Sequence, residues 1–287
     1  MSVSKPFKIL VDQIQRCAKI DSNVLISGEV GTGRRQVALS IHNASTRDRN
    51  NFVSINCTGM TEEQFAVDLF GLQNQSFNMV RKGGIFLAEE GTLFLHDVDE
   101  LSPKMQSLLY RFIDSGYYTP VGSNDVIPAN VRIICSTSSN LSAKVDNGQF
   151  RNNLFHKLSE FVIKTPNINE RRDDLELLVS NILRDINPTN SIQLEDTAFK
   201  RLTNHRYTGN LIELKNILTR ALTLTDTNLI TDETMKIALV SGSVFSNESD
   251  ISDNSLQIMH SPDEDLNNIN QLSSSSSSKS GRWNTSP

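Results

Sequence analysis

The sequence is 287 residues long, 37% hydrophobic and 21% charged, with a formal net charge of −5 and a sequence isoelectric point near 5.6. This apolar content supplies a true core and excludes a chain disordered throughout, while the mild acidity gives no general attraction to nucleic-acid phosphates. With no signal segment at the start and no run near the roughly 20 apolar residues that span a bilayer, a cytoplasmic protein without membrane contact or direct DNA binding is expected.

Short β-branched or aromatic runs occur at Val24-Leu25-Ile26, Phe52-Val53-Ser54-Ile55, Thr92-Leu93-Phe94-Leu95, Val131-Arg132-Ile133-Ile134 and Phe161-Val162-Ile163. They alternate with amphipathic segments, which predicts an α/β fold with a parallel sheet sandwiched by helices. After the first run comes Gly28-Glu29-Val30-Gly31-Thr32-Gly33-Arg34-Arg35 and then a helix-like segment. Glycines let backbone N–H groups converge on an anion, and a helix N-terminus behind them favours negative charge. Gly28, Gly31, Thr32, Gly33, Arg34 and Arg35 are therefore the candidates to hold phosphate. The strict phosphate-loop pattern has lysine where Arg34 stands and a hydroxyl where Arg35 stands, so a plain glycine-rich turn is the competing reading. Cys17, Cys57 and Cys135 have no metal or redox spacing and read as reduced thiols in or near the core.

From about Arg171 the strand pattern stops. Leu175, Leu178, Val179, Ile182 and Leu183 share one helical face. A clearer helix opens at Asn210, read as its N-cap with Glu213 three residues on, and carries Leu211, Leu214, Ile217, Leu218, Ala221 and Leu222 in one stripe that reads as core. Beyond residue 241 Ser, Asn and Asp dominate, including six serines from Ser273 to Ser278, and disorder is expected. The expected organisation is an α/β core over 1–168, an all-helical domain over 169–240 and a disordered tail over 241–287.

Several segments, in order, carry a resemblance: the glycine-rich loop, Asn56-Cys57, Asp68-Leu69-Phe70-Gly71, Gly91-Thr92-Leu93-Phe94-Leu95, Leu108 to Gly122, Phe150-Arg151 to Leu158, Glu170-Arg171-Arg172-Asp173-Asp174, and Gly209-Asn210-Leu211 with Glu213-Leu214. From roughly Val24 to Leu239 the chain resembles the sigma-54 interaction domain of bacterial transcription activators, an AAA+ nucleotide-binding core with a helical lid. The resemblance implies ATP or ADP as ligand, a ring-forming oligomer, and contact with sigma-54 RNA polymerase.

The chain departs from that family where the family does chemistry. Arg34 replaces the lysine of the phosphate loop, and the Asp-Glu pair that positions magnesium and water becomes His96-Asp97. An imidazole in the metal-facing place suits magnesium poorly, so the metal site is degenerate. A shifted register, with Asp97 for magnesium and Asp99 or Glu100 for water, is the alternative. Ser138 stands for a sensor asparagine and Ile212 for the lid arginine that touches nucleotide. Of two arginines presented to the neighbouring subunit, Arg151 remains and Lys157 replaces the other. Asp97, Arg151 and Lys157 are thus the catalytic candidates, vestigial or acting in trans. The polymerase-contacting loop reads Gln75-Ser76-Phe77-Asn78-Met79-Val80 and keeps only the phenylalanine of the family motif. Neither the receiver domain nor the helix-turn-helix usual in such activators is expected here.

The leading expectation is a regulatory pseudo-ATPase acting through protein contacts, with an active sigma-54-type AAA+ relative or an RNA polymerase component as partner, in a homo- or hetero-oligomer. A slow ATPase, and an anion or nucleotide second-messenger sensor clamped by Arg34 and Arg35, stay open.

Overall fold

The computed structural model describes residues 4–47, 50–74, 79–188 and 192–243. Five strands pair in parallel in the order Phe52–Asn56, Thr92–His96, Arg132–Thr137, Val24–Ser27 and Phe161–Lys164. Alternate residues face opposite sides of the sheet. Leu25, Leu93, Leu95, Ile133 and Cys135 therefore enter one layer with Leu109 and Leu154, whereas Val24, Ile26, Phe94 and Ile134 enter the other with Leu10, Val37 and Ile41. The central strand Arg132–Thr137 is buried along its whole length. Burial on both faces is why the three inner strands, Thr92–His96, Arg132–Thr137 and Val24–Ser27, read as continuous apolar runs and not as alternating ones.

All five carboxyl ends lie on one rim, where ligands of open parallel sheets bind. The turns leaving that rim bring the loop 28–33, residues 97–102 and residues 138–140 together. After the last strand, a 3-10 segment Ile168–Asp174 leads into helices Leu175–Ile186, Asp196–Asn204, Asn210–Thr223 and Asp232–Ser243. Their shared core contains Leu175, Val179, Leu202, Leu214, Ile217 and Leu218. The stripe expected on the third of these helices packs inward, with Leu211 and Leu222 at its edges.

Three details differ from the sequence expectation. Helix Asn210–Thr223 takes Gly209 as its N-cap, and Glu213 accepts the N–H groups of Thr208 and Gly209 at 2.7 Å each. Asn210 is turned elsewhere, as described below. The region after residue 168 also contains a two-residue parallel ladder, Gln193–Leu194 with Leu229–Ile230, because two extended linkers running side by side satisfy each other's backbone groups. Finally, the last helix runs through Ser243, three residues past the compositional boundary. The loop tip 75–78 and the serine-rich segment 244–287 lie outside the described residues. The three cysteines are free and buried. No described helix is long and apolar enough to cross a membrane.

Candidate functional site

The loop between strand Val24–Ser27 and helix Arg34–Asn43 has the backbone shape of a phosphate cradle. Gly31 and Gly33 adopt φ of 81° and 90°, which a side chain rarely tolerates. Gly28 is required for a different reason: a Cβ there would stand 1.8 Å from Thr165 Oγ1. Thr32 Oγ1 and Thr165 Oγ1 share a hydrogen bond at 2.8 Å, with the Glu29 carbonyl 2.8 Å from the first hydroxyl and the Ser27 carbonyl 3.4 Å from the second. Helix Arg34–Asn43 begins directly behind the loop, so its free N–H groups and dipole favour an anion. The backbone fits nucleotide phosphates.

The side chains tell a different story. Arg34 Nη1 donates to Asp97 Oδ1 at 2.5 Å, and the two side chains are only 4% and 15% exposed. Arg34 points inward, as the loop dictates, but its partner is a carboxylate of its own chain. Asp97 Oδ2 lies 2.8 Å from His96 Nδ1, yet the ring N–H is not aimed at it and Nδ1 makes no hydrogen bond among the described residues. The contact is one of proximity. Asp97 itself sits at φ 55°, an uncommon conformation for a residue with a side chain, and its N–H reaches Ser136 Oγ at 3.3 Å.

Magnesium does not fit this arrangement. It demands oxygen ligands in octahedral order, and here Asp97 is committed to a guanidinium and the adjoining residue of the strand end is an imidazole. Arg35, in the place of the motif hydroxyl, is exposed.

Asp99 and Glu100 engage a different cation. Lys144 Nζ donates to the Asp99 carbonyl at 2.7 Å and lies 3.7 Å from Asp99 Oδ2 and 4.0 Å from Glu100 Oε1. Burial pushes the Asp99 carboxyl pKa up, but the Ser139 and Thr137 hydroxyls, its own N–H and Lys144 outweigh this and hold it below the usual range. Ser139 Oγ is close enough to act on the carboxylate without being aligned, since neither it nor Asp99 Oδ1 makes a hydrogen bond among the described residues. Burial and the nearby Asp97 and Asp99 push the Cys57 thiol up to about 12, so it is protonated and unreactive at neutral pH.

The remaining candidates stand apart. Ser138 and Ile212 are both exposed, the latter at 54%, and an aliphatic tip offers phosphate nothing. Arg151 is exposed just before helix Asn152–Leu158, held through its backbone N–H by Gln106 Oε1 at 2.9 Å, while Lys157 pairs with Asp114 at 3.0 Å. Among the described residues, no ion pair ties the Arg151 guanidinium. Sequence reasoning missed three residues at the loop, Glu29, Asn167 and Asn210, because each looks locally like a turn or cap residue. Asn210 Nδ2 donates to Glu29 Oε2 and to the Val30 carbonyl, both at 3.0 Å.

Comparison with known proteins places the fold in a family. A model of the sigma-54 interaction domain matches residues 1–164, and one of the AAA+ ATPase lid domain matches residues 169–250. A Nif-specific regulatory protein of Azotobacter vinelandii is 35% identical over 231 residues, covering 79% of this chain and 44% of the relative. The response regulator protein PilR of Pseudomonas aeruginosa is 35% identical over 241 residues, covering 82% of this chain and 54% of the relative. The chain thus spans about half the length of the curated relatives it matches. Among solved structures, NtrX from Brucella abortus in complex with ATP superposes with a TM-score of 0.75 at 29% identity, covering 82% of this chain and 55% of that one.

Proposed function

The chain belongs to the sigma-54 interaction domain family of transcription regulators, and from that membership we propose that it works as a pseudo-ATPase, regulating through protein contacts and not through hydrolysis of its own. One observation carries the reading: the largely buried hydrogen bond from Arg34, 4% exposed, to Asp97, 15% exposed. A phosphate-loop cation must face phosphate, and a catalytic carboxylate must face water or metal. Each of these groups instead satisfies the other, in a site of low dielectric where separating them is costly.

ATP or ADP still has a place on the loop backbone, where the N–H groups ahead of helix Arg34–Asn43 accept negative charge without help from Arg34. Bound there, a nucleotide supplies charge and bulk to the loop; this chain orients the phosphates, while Asp97 is taken up by Arg34 and Asp99 by Lys144. Arg151, exposed and without an ion pair among the described residues, is the group it can offer to a neighbour. In phosphoryl-transfer enzymes an arginine donated in trans accelerates turnover on the order of 10³ to 10⁵. The partner is then a competent sigma-54-type AAA+ protein, with an RNA polymerase component as the further target.

The test is a phosphate-release assay on the purified chain, alone and mixed with an active member of the family. Alone it should be silent; mixed, it should change the partner's rate, and Arg151→Ala should abolish that change while Lys157→Ala, which breaks only an exposed pair, should not. Steady turnover by the chain alone refutes the proposal and favours a slow ATPase.

A further inference from the structure

The phosphate loop is fastened through four of its residues, Glu29, Val30, Gly31 and Thr32, to residues that follow the last sheet strand. Thr165 Oγ1 meets Thr32 Oγ1 at 2.8 Å. The Glu29 carboxylate receives Asn167 Nδ2 on Oε1 at 2.9 Å and Asn210 Nδ2 on Oε2 at 3.0 Å. The N–H of Leu211 donates to the Gly31 carbonyl at 3.0 Å.

Asn210 is the centre of this arrangement. It is fully buried at φ 54°, and its Oδ1 accepts the Ile168 N–H at 3.0 Å while its Nδ2 serves Glu29 and the Val30 carbonyl. One amide thereby joins the loop, the connector and the first turn of the lid helix. The left-handed backbone of Asn210 is what swings its side chain off the helix and onto the loop. The seam is tight: a Cβ on Gly31 would lie 2.4 Å from the Gly209 carbonyl oxygen. The Glu29 carboxyl is held below its ordinary range by Asn210 first and Asn167 second, as expected of a carboxylate that both amides serve. Ile212, two residues on, adds no polar side chain.

We infer that Glu29, Asn167 and Asn210 form an internal latch that seats the lid on the phosphate loop whether or not an anion is bound. Lids that serve catalysis open and close with ligand; a latched lid presents one constant face to a neighbouring protein. The inference rests on the pseudo-ATPase reading, since a regulator that does not turn over has no use for lid opening.

Hydrogen–deuterium exchange on the intact protein tests it, reading peptides over 28–35 and 207–214 against the sheet strand 92–96, with and without saturating ADP. Both peptides should be protected without ADP and change less than about 3-fold on its addition, while Glu29→Ala should speed exchange in both by roughly 10-fold or more and leave 92–96 unchanged. Glu29→Gln, which keeps one acceptor oxygen, should fall between. The latch is overturned if ADP alone confers the protection in the wild type, or if Glu29→Ala leaves both peptides protected. Should Glu29→Ala also loosen 92–96, Asn167→Ala decides by the same criterion. Phosphate release by the wild type would count against the pseudo-ATPase reading only and would leave the exchange result standing.

Discussion

Arg34 and Asp97, 63 residues apart in the chain, are joined at 2.5 Å in a setting where the arginine is 4% exposed. A buried pair of this kind is worth little against an apolar substitute, yet removing one member strands the other. Arg34→Ala should therefore cost about 3 kcal/mol, near the lower end for such pairs because Asp97 keeps some water contact. In a double-mutant cycle read by urea denaturation, Arg34→Ala with Asp97→Ala should cost less than the two single changes together, by about 0.5–3 kcal/mol. Strict additivity would mean that the pair is an accident of proximity.

Rebuilding the site should restore metal dependence. We expect wild-type protein to be stabilised by ATP equally in magnesium and in chelator. The combined variant Arg34→Lys, His96→Asp, Asp97→Glu and Ile212→Arg should gain its stabilisation only with magnesium, about 2.7 kcal/mol at one hundred times the dissociation constant. Thermal melting reports both. A wild-type shift that needs magnesium would contradict the poor fit of that ion.

Acid should weaken the latch. The folded-state pKa of Glu29 is lowered from its ordinary value of 4.5 by Asn210 and Asn167, with Lys164 adding a smaller pull. A depressed carboxyl contributes stability that is complete above its unfolded pKa and is lost as pH falls through the folded one. The melting gap between wild type and Glu29→Gln should stay constant from pH 7 to about 5 and close below about 4.5. Taking the difference cancels Asp99 and Glu213, whose carboxyls are also held below their ordinary values. A gap that stays undiminished from pH 7 down to about 3 would remove Glu29 from the account.

Gly28 and Gly31 should respond differently to rescue. At Gly28 the obstacle is the Thr165 hydroxyl, so Gly28→Ala should cost about 1–3 kcal/mol and Thr165→Ala should recover part of it. At Gly31 the obstacle is backbone, together with a φ of 81°, and no side-chain truncation can relieve it. Equal response of both alanines to Thr165→Ala, measured by denaturation, would show that the loop moves as a whole.

Much of this was legible in the sequence. The five apolar runs became the five strands, with carboxyl ends one to three residues further on, and the glycine spacing marked the loop because φ above zero is a local demand that only glycine meets cheaply. Asn210 shows where local reading fails. A Gly-Asn pair ahead of an apolar stripe with Glu213 three residues on satisfies every rule for a helix start, and Glu213 does serve that start. Nothing nearby says that the asparagine amide will find Glu29, 181 residues away.

By itself, then, the sequence determined the parallel α/β core, the helical stripe and the chemical identity of residues 34, 35, 96, 97 and 212, all properties of short windows and single positions. Only the tertiary structure decided that Arg34 meets Asp97, that Asp99 meets Lys144 and that Asn210 meets Glu29. The reason is physical: periodicity and backbone preference act over a few residues, whereas a polar group's partner is chosen by whatever charge or dipole burial brings within about 3 Å of it, where low dielectric makes the choice binding.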